Sequence, residues 1–264
     1  EAHSDSFISA LKDQLVLTQM GADFLDGLVG DLKFSKETNQ PTFTWEGETD
    51  ANGESTPTFG KVVLSPNRGG TFVDISNQAM KQTSPAVENR IRQQLLDAAQ
   101  RGIEGAAING STNGPGGILD VASVVSGNGD FDHMVDLEAK VSAANADFGS
   151  LGYLTNSKAR GVLKKAAKEA GSSERVWENS EVNSTRAFIS NLVKEETGAA
   201  PLNSPVIYGN FADLMIATWG GIEILVDPYT QATSGMTRLV LNIYADVGIQ
   251  HDESFSVGNI VTTA

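Results

Sequence analysis

The chain has 264 residues, of which 40% are hydrophobic and 20% charged, enough apolar mass for a substantial folded core. Its formal charge is −14, from 33 acidic and 19 basic residues, which argues against a protein that grips nucleic acid by its phosphates. It contains no cysteine, so disulfides and thiolate–metal sites are excluded, and no apolar run approaches the ~18–20 residues of a membrane helix.

The first five residues, Glu1-Ala2-His3-Ser4-Asp5, have no basic start followed by an apolar stretch, so no signal peptide is expected there. Ser4 or Asp5 can cap a helix over 4–20, where Phe7, Ile8, Leu11 and Leu15 recur at helical spacing. Residues 21–41 are irregular and glycine-rich, as in an extended arm or a flexible terminus. Residues 42–78 read as a long hairpin. Thr42, Phe43, Thr44 and Trp45 are good strand formers, and 58–64 and 71–75 continue in that style. Turn-rich tips lie at 50–54 and 65–70. The segment is largely polar and carries little core of its own, so it needs a partner surface, its own domain or a neighbouring chain.

Residues 84–108 carry the clearest helical pattern. Ser84 suits the N-cap, Pro85 the first position and Glu88 the first turn. Val87, Ile91, Leu95, Ala98, Ala99, Gly102, Ile103 and Ala106 share one face. Such a helix is roughly 37 Å long at ~1.5 Å per residue, a spine more than a packing helix. The run Asn109-Gly110-Ser111-Thr112-Asn113-Gly114-Pro115-Gly116-Gly117 ends it. Beyond it, 118–125 reads as a strand and 132–148 as a helix. Tyr153 and Leu154 close a short strand, and Thr155 is placed to cap a helix running to Gly171. Strands are expected at 206–208, 214–219, 222–226, 238–247 and 254–257. Without a regular βαβ repeat, the fold class is α+β.

No pattern of residues points to catalysis. The glycine loop lacks the Gly-Lys-Ser/Thr of a phosphate loop and follows a helix, where the dinucleotide fingerprint follows a strand. Asn128, Asp130 and Asp132 alternate like a calcium loop, but His133 stands where glycine is required and Ala139 where a bidentate Glu belongs. Asp130 and Asp132 are therefore read as turn and cap residues. His3, His133 and His251 have no ligand spacing, and there is no G-x-S-x-G elbow. Carboxylates such as Glu46 and Glu48 pair by chance in so acidic a chain. The reading is a non-enzyme with no catalytic, cofactor or metal site.

The order of short segments resembles the major capsid proteins of tailed phages, the Hong Kong ninety-seven type. Trp45-Glu46-Gly47-Glu48 and then Thr58-Phe59-Gly60-Lys61-Val62 resemble that family's extended loop. Asp74-Ile75-Ser76-Asn77-Gln78-Ala79-Met80 resembles the approach to its spine helix, and Pro115-Gly116-Gly117-Ile118-Leu119 the exit from it. Gly152-Tyr153-Leu154-Thr155-Asn156, Ile207-Tyr208-Gly209-Asn210-Phe211-Ala212, Gly221-Ile222-Glu223-Ile224 and Asp227-Pro228-Tyr229 follow in the family's order. The likeness runs over roughly 20–258.

The resemblance implies a phage-capsid fold with an N-terminal arm (1–40) and an extended loop (41–78). It further implies a peripheral domain with the spine helix (79–120, completed by about 228–250) and an axial domain (121–227, with 251–264 returning near it). It implies a virion protein, assembled in the host cytoplasm, that forms pentamers, hexamers and a closed icosahedral shell around double-stranded DNA. Scaffold, protease, portal and decoration proteins are the implied further partners. An encapsulin-type compartment around a cargo enzyme is the second reading. Subunit contacts are expected at Trp45, Glu46, Glu48, Phe59, Lys61, Asn67 and Arg68, and removal of the 65–70 tip is expected to spare the fold but impair assembly. Some relatives join subunits through a lysine on this loop; the matching place reads Asn67-Arg68, so a non-covalent shell is expected.

Overall fold

Strand pairing divides the chain into two sheets and a projecting ribbon. The computed structural model describes residues 15–39, 41–49, 51, 53–78, 86–169, 171–195 and 202–262. The first half contains α1 (Leu17–Met20), β1 (Asp23–Leu25), β2 (Leu32–Asn39), β3 (Thr58–Leu64), β4 (Asn67–Ser76), α2 (Ala86–Asn109), α3 (Ile118–Val121) and β5 (Ser123–Val125). The second contains α4 (Phe131–Ala143), β6 (Leu151–Thr155), α5 (Ser157–Lys165), β7 (Trp177–Glu178), β8 (Glu181–Val182), β9 (Thr185–Ile189), β10 (Leu202–Asn210), β11 (Leu214–Asp227), β12 (Met236–Ile249) and β13 (Phe255–Thr262). The class is α+β, as the sequence predicts.

One sheet has four strands in the order β1-β11-β12-β4. Helix α2 covers one of its faces, where Leu95 and Ala99 meet Ile75, Leu239 and Leu241. The predicted spine is therefore real: 24 residues, about 36 Å at ~1.5 Å each. Its expected cap at Ser84 and Pro85 lies outside the described residues, as does most of the expected helix over 4–20.

The other sheet is mixed, in the order β5-β13-β10-β6-β9-β8-β7. On one face, Met134, Leu137 and Val141 of α4 and Ala159 and Leu163 of α5 bury against Tyr153, Val206 and Ile260. On the other lies a cluster that joins both sheets: Val16, Leu17 and Met20 near the chain start, Ala107 and Ile108 at the end of α2, and Ile207, Phe211, Ile216 and Phe255. This shared core fixes the end of the spine against the second sheet.

Several boundaries differ from the sequence reading, each for a local reason. Residues 118–125 are not one strand. Gly110 has φ +73°, and a Cβ on it would lie 1.8 Å from Asp120 Oδ2, so the loop closes tightly on Asp120. Asp120 then accepts from the Gly117 amide at 3.0 Å and starts the single turn α3, leaving only three residues for β5. Helix α4 stops before 148 because Asn145 adopts φ +57°, with Asn145 N donating to Ser142 O and Ala146 N to Val141 O, a Schellman ending. The cap of α5 is Asn156, which accepts from Ala159 N at 2.8 Å. Thr155 belongs to β6 and donates to Pro205 O at 3.0 Å. The strands expected at 214–219 and 222–226 are one strand, β11, whose register shifts between Trp219 and Glu223.

The hairpin is the largest correction. β2 pairs with β3 in register Leu32↔Leu64 to Asn39↔Thr58, so the ribbon spans 32–64 and its tip is 40–57. Part of what reads as an arm is strand. Residues 42–45, despite their strand propensity, form no ladder. Asn67–Ser76 leaves the ribbon and pairs along ten residues with β12. Asn67 and Arg68, expected at a loop tip, open a sheet strand.

Candidate assembly surfaces

The ribbon is held at its root and bare beyond it. Leu64 is buried with Met215, Ala217 and Trp219, against which Leu25, Leu28, Leu32 and Val62 pack. The Trp219 indole N–H donates to Gly30 O at 2.6 Å, Leu28 N to Thr218 O at 3.2 Å, and Thr218 Oγ1 to Asp26 Oδ1 at 2.7 Å. On the other side, the Asp246 carboxylate accepts from Ser65 N at 2.8 Å and Asn67 Nδ2 at 3.1 Å. These bonds explain why the chain turns into the sheet at 65–67. A dense set of polar and apolar contacts at one end fixes the direction of the whole ribbon.

Outward from the root the ribbon has no core. Phe59 and Lys61 lie two residues apart on one face of β3, and Phe59 is 72% exposed. At the tip, Phe43 and Trp45 are 79% and 91% exposed and stack edge to face, 5.1 Å between ring centres. Thr42 N donates to Ser55 Oγ at 2.9 Å, closing the two limbs of the tip, and Thr44 Oγ1 donates to Glu46 Oε1 at 2.7 Å. Apart from this ring pair, the two aromatics remain largely in water at the end of the ribbon.

The seven residues expected at subunit contacts thus fall into two groups. Trp45, Glu46 and Glu48 lie at the tip, and Phe59 and Lys61 on the shaft. Asn67 and Arg68 sit across from Ala245 and Tyr244 of β12, at the edge of the four-stranded sheet. Trp219 and Asp246, which aim the ribbon, went unmarked in the sequence reading. The signal for Trp219 was its place before Gly220-Gly221, in the middle of an apolar run.

Shifted titratable groups belong to structural contacts. Burial raises the Glu104 carboxyl on α2, against the lowering effect of the Val16 and Leu17 amides it accepts from; the Val16 bond is 2.7 Å. Burial pushes the Tyr208 phenol up to about 12, helped by Glu138 and Asp147, and raises Tyr153, whose hydroxyl donates to Glu138 Oε1 at 2.8 Å. Asp74 is held below the usual carboxylate range by its hydrogen bonds with Arg238, at 2.7 and 2.8 Å. Asp130 accepts from His133 N at 3.0 Å as the cap of α4, and His133 itself is buried, accepting from Gly129 N and donating to Val125 O. Among the described residues, no group of three His, Asp or Glu side chains is placed to hold a metal, and no helix is long and apolar enough to cross a membrane.

A long helix packed on a four-stranded sheet, a seven-stranded sheet beside it and an anchored ribbon make up the fold. The same fold occurs in the capsid of a native GTA particle, solved with C5 symmetry (17% identity, TM-score 0.80, 99% of this chain and 95% of that one). It recurs in structures from Gordonia phage Cozz (15%, TM-score 0.74, 100% and 91%) and Mycobacterium phage Ogopogo (16%, TM-score 0.74, 99% and 97%). A profile of the phage capsid family matches residues 1–260, and the chain belongs to that family. The major capsid protein of Halomonas phage phiHAP-1 is 31% identical over 265 residues, covering 97% of this chain and 42% of that protein. The chain therefore spans about two fifths of the length of this curated relative.

Proposed function

We propose that the chain is the shell-forming part of a tailed-phage major capsid protein of the Hong Kong ninety-seven type. Its copies associate as pentamers and hexamers, close into an icosahedral shell around double-stranded DNA and reside in the virion after assembly in the host cytoplasm. The observation that supports this reading is the ribbon of 32–64: anchored at its root, with two exposed aromatic rings at its tip and, among the described residues, no strand or core packed against its outer part. A heterologous contact, in which one patch meets a different patch on the next copy, generates a ring when the rotation closes. The role is structural, made of many modest contacts summed over a lattice.

In this reading the chain before residue 32 is the arm, 32–64 the extended loop, the four-stranded sheet with α2 the peripheral domain, and the seven-stranded sheet the axial domain. Trp45, Glu46, Glu48, Phe59, Lys61, Asn67 and Arg68 remain the proposed contact residues, and scaffold, protease, portal and decoration proteins the proposed further partners. The charge of −14 suits a wall that does not adhere to the enclosed DNA. The family match supports this over a compartment of the encapsulin type. A non-covalent shell, whose mature particles run as single subunits on a denaturing gel, remains the proposal, although Asn67-Arg68 opens β4 and the ribbon itself carries Lys33, Lys36 and Lys61. Electron microscopy of the purified protein tests the central proposal. Closed shells of uniform size are expected, and monomers under every assembly condition would refute it.

A further inference from the structure

Between β5 and α4, a backbone amide is bound to a histidine ring. Gly129 N donates to His133 Nδ1 at 3.1 Å, and the opposite ring nitrogen, Nε2, lies 3.1 Å from Val125 O. A backbone N–H can only donate and a carbonyl oxygen can only accept. His133 therefore carries its proton on Nε2 and presents the Nδ1 lone pair to the Gly129 N–H. The ring cannot turn away. A Cβ on Gly127 would lie 2.2 Å from His133 Cγ, and one on Gly258 would lie 2.6 Å from Nε2, so two glycines clamp the buried imidazole.

The residue before Gly129 is Asn128, and an Asn-Gly pair holds an electrophile and a nucleophile side by side. The glycine nitrogen, unhindered by a side chain, can attack the asparagine Cγ once its proton is removed. Three such pairs lie among the described residues: Asn109-Gly110, Asn113-Gly114 and Asn128-Gly129. The first is locked. Asn109 Nδ2 donates to Gly105 O and Leu192 O at 2.7 Å each, and its Oδ1 accepts from Lys194 N at 2.8 Å. Gly110 N and Gly114 N donate to carbonyl oxygens, of Ala106 at 2.8 Å and Ser111 at 3.4 Å. Of the three, only the Gly129 amide has a base as its acceptor. Asn128 itself is exposed. The fold also demands its glycine, since Gly129 has φ +78° and a Cβ there would lie 2.8 Å from Ile260.

We infer that Asn128-Gly129 is a self-modification site, an asparagine that deamidates with His133 as the base. His133 Nδ1 takes the Gly129 amide proton as that nitrogen bonds to Asn128 Cγ. The Cγ–Nδ2 bond then breaks, the proton passes from Nδ1 to the departing nitrogen, and ammonia leaves a five-membered succinimide. Water opens the ring at either carbonyl and gives aspartate or isoaspartate at 128. The sum is asparagine plus water to a carboxylic acid plus ammonia, with no oxidant or cofactor. The product adds one negative charge two residues before Asp130, the cap of α4, at the helix end where negative charge is favoured. The isoaspartate form also lengthens the main chain by one methylene between β5 and α4.

Asn113-Gly114 serves as an internal control in the same chain. Purified wild-type protein is incubated at neutral pH, sampled over time, digested, and followed by peptide mass spectrometry that separates asparagine, aspartate and isoaspartate. In the folded protein, conversion at 128 is expected to exceed that at 113 on the order of tenfold or more. This is below the ~10²–10⁴-fold of a fully engaged base, because the folded loop restricts the approach to Cγ. In urea, where His133 no longer meets Gly129, the two rates are expected to converge. His133→Asn keeps a side-chain acceptor beside the Gly129 amide but no base. With its fold verified by circular dichroism, it is expected to bring conversion at 128 down to that at 113. Folded wild type in which 128 converts no faster than 113 overturns the inference. So does an advantage of 128 that persists in urea, or one that survives in folded His133→Asn. Should that variant fail to fold, the comparison of folded and urea-treated wild type decides alone.

Discussion

Glu104 is a buried carboxylate whose work is to hold the start of the described chain to the spine. It accepts the Val16 amide at 2.7 Å while Val16, Leu17 and Met20 pack into the core that joins the two sheets. Glu104→Ala leaves a buried amide without its partner and is expected to cost about 1–3 kcal/mol in urea unfolding. Glu104→Gln keeps an acceptor and removes the buried charge, so at neutral pH it is expected to match or exceed the wild type. The pH dependence has a definite sign. Burial raises the folded pKa above the ordinary value of 4.5, so the folded chain binds the proton more tightly than the unfolded chain. The contribution of Glu104 is full below about 4.5 and declines as pH rises through the raised value, so any advantage of Glu104→Gln should shrink on acidification. An advantage that grows on acidification would contradict the assigned role.

At the scale of elements, the spine helix and the sheet beneath it were the most readable parts of the chain. Residues 91, 95, 98, 99 and 103 repeat at helical spacing because one long face is buried, and periodicity records burial directly. Leu95 is 3% exposed, and Leu95→Pro is expected to destabilise the subunit by about 3 kcal/mol or more, seen as loss of soluble folded protein. The ribbon was readable only in part. Its lack of a core was evident from composition, but its pairing was not: Lys33, Phe34 and Ser35 alternate no better than Thr42, Phe43 and Thr44. A ribbon exposed on both faces has no hydrophobic pattern to set its register. β4 shows the opposite case, since Asp74 lies across from Arg238 and binds it through both oxygens, with the guanidinium 4.2 Å from the Phe72 ring centre. Asp74 is held below the normal 3.8, so its contribution is present above that value and lost as pH falls below it. Asp74→Asn should therefore lie closest to wild type at the acid end of a stability profile, and an equal deficit at all pH values would place its effect elsewhere.

For the molecule as a whole, the two surfaces of interest differ in what they cost to remove. Replacing 40–57 by Asn-Gly joins Asn39 to Thr58 through a two-residue turn that suits a hairpin, and touches none of the core clusters. That variant is expected to keep its thermal midpoint and fail to form shells; shells of normal size would show that the tip is dispensable. Removing 65–70 is a different operation from the one its sequence implies. It cuts the bonds to Asp246 and the first residues of β4, so the expected result is an insoluble or unfolded subunit, read by circular dichroism.

The sequence alone determined the α+β class, the spine, the absence of a catalytic pattern and the family likeness. Each of these is written in composition or in local spacing. The tertiary structure decided which strands make the ribbon, that Asn67 and Arg68 belong to a sheet edge, and that Trp219 and Asp246 aim the ribbon outward. The last two rest on partners far apart in the chain, such as Gly30 with Trp219 (|i−j| = 189) and Ser65 with Asp246 (|i−j| = 181), whereas the ribbon's own pairing is short in sequence but exposed on both faces. Local propensity carries no record of such pairings. They exist because burying Leu64 and Trp219 together favours one closure of the chain over all others.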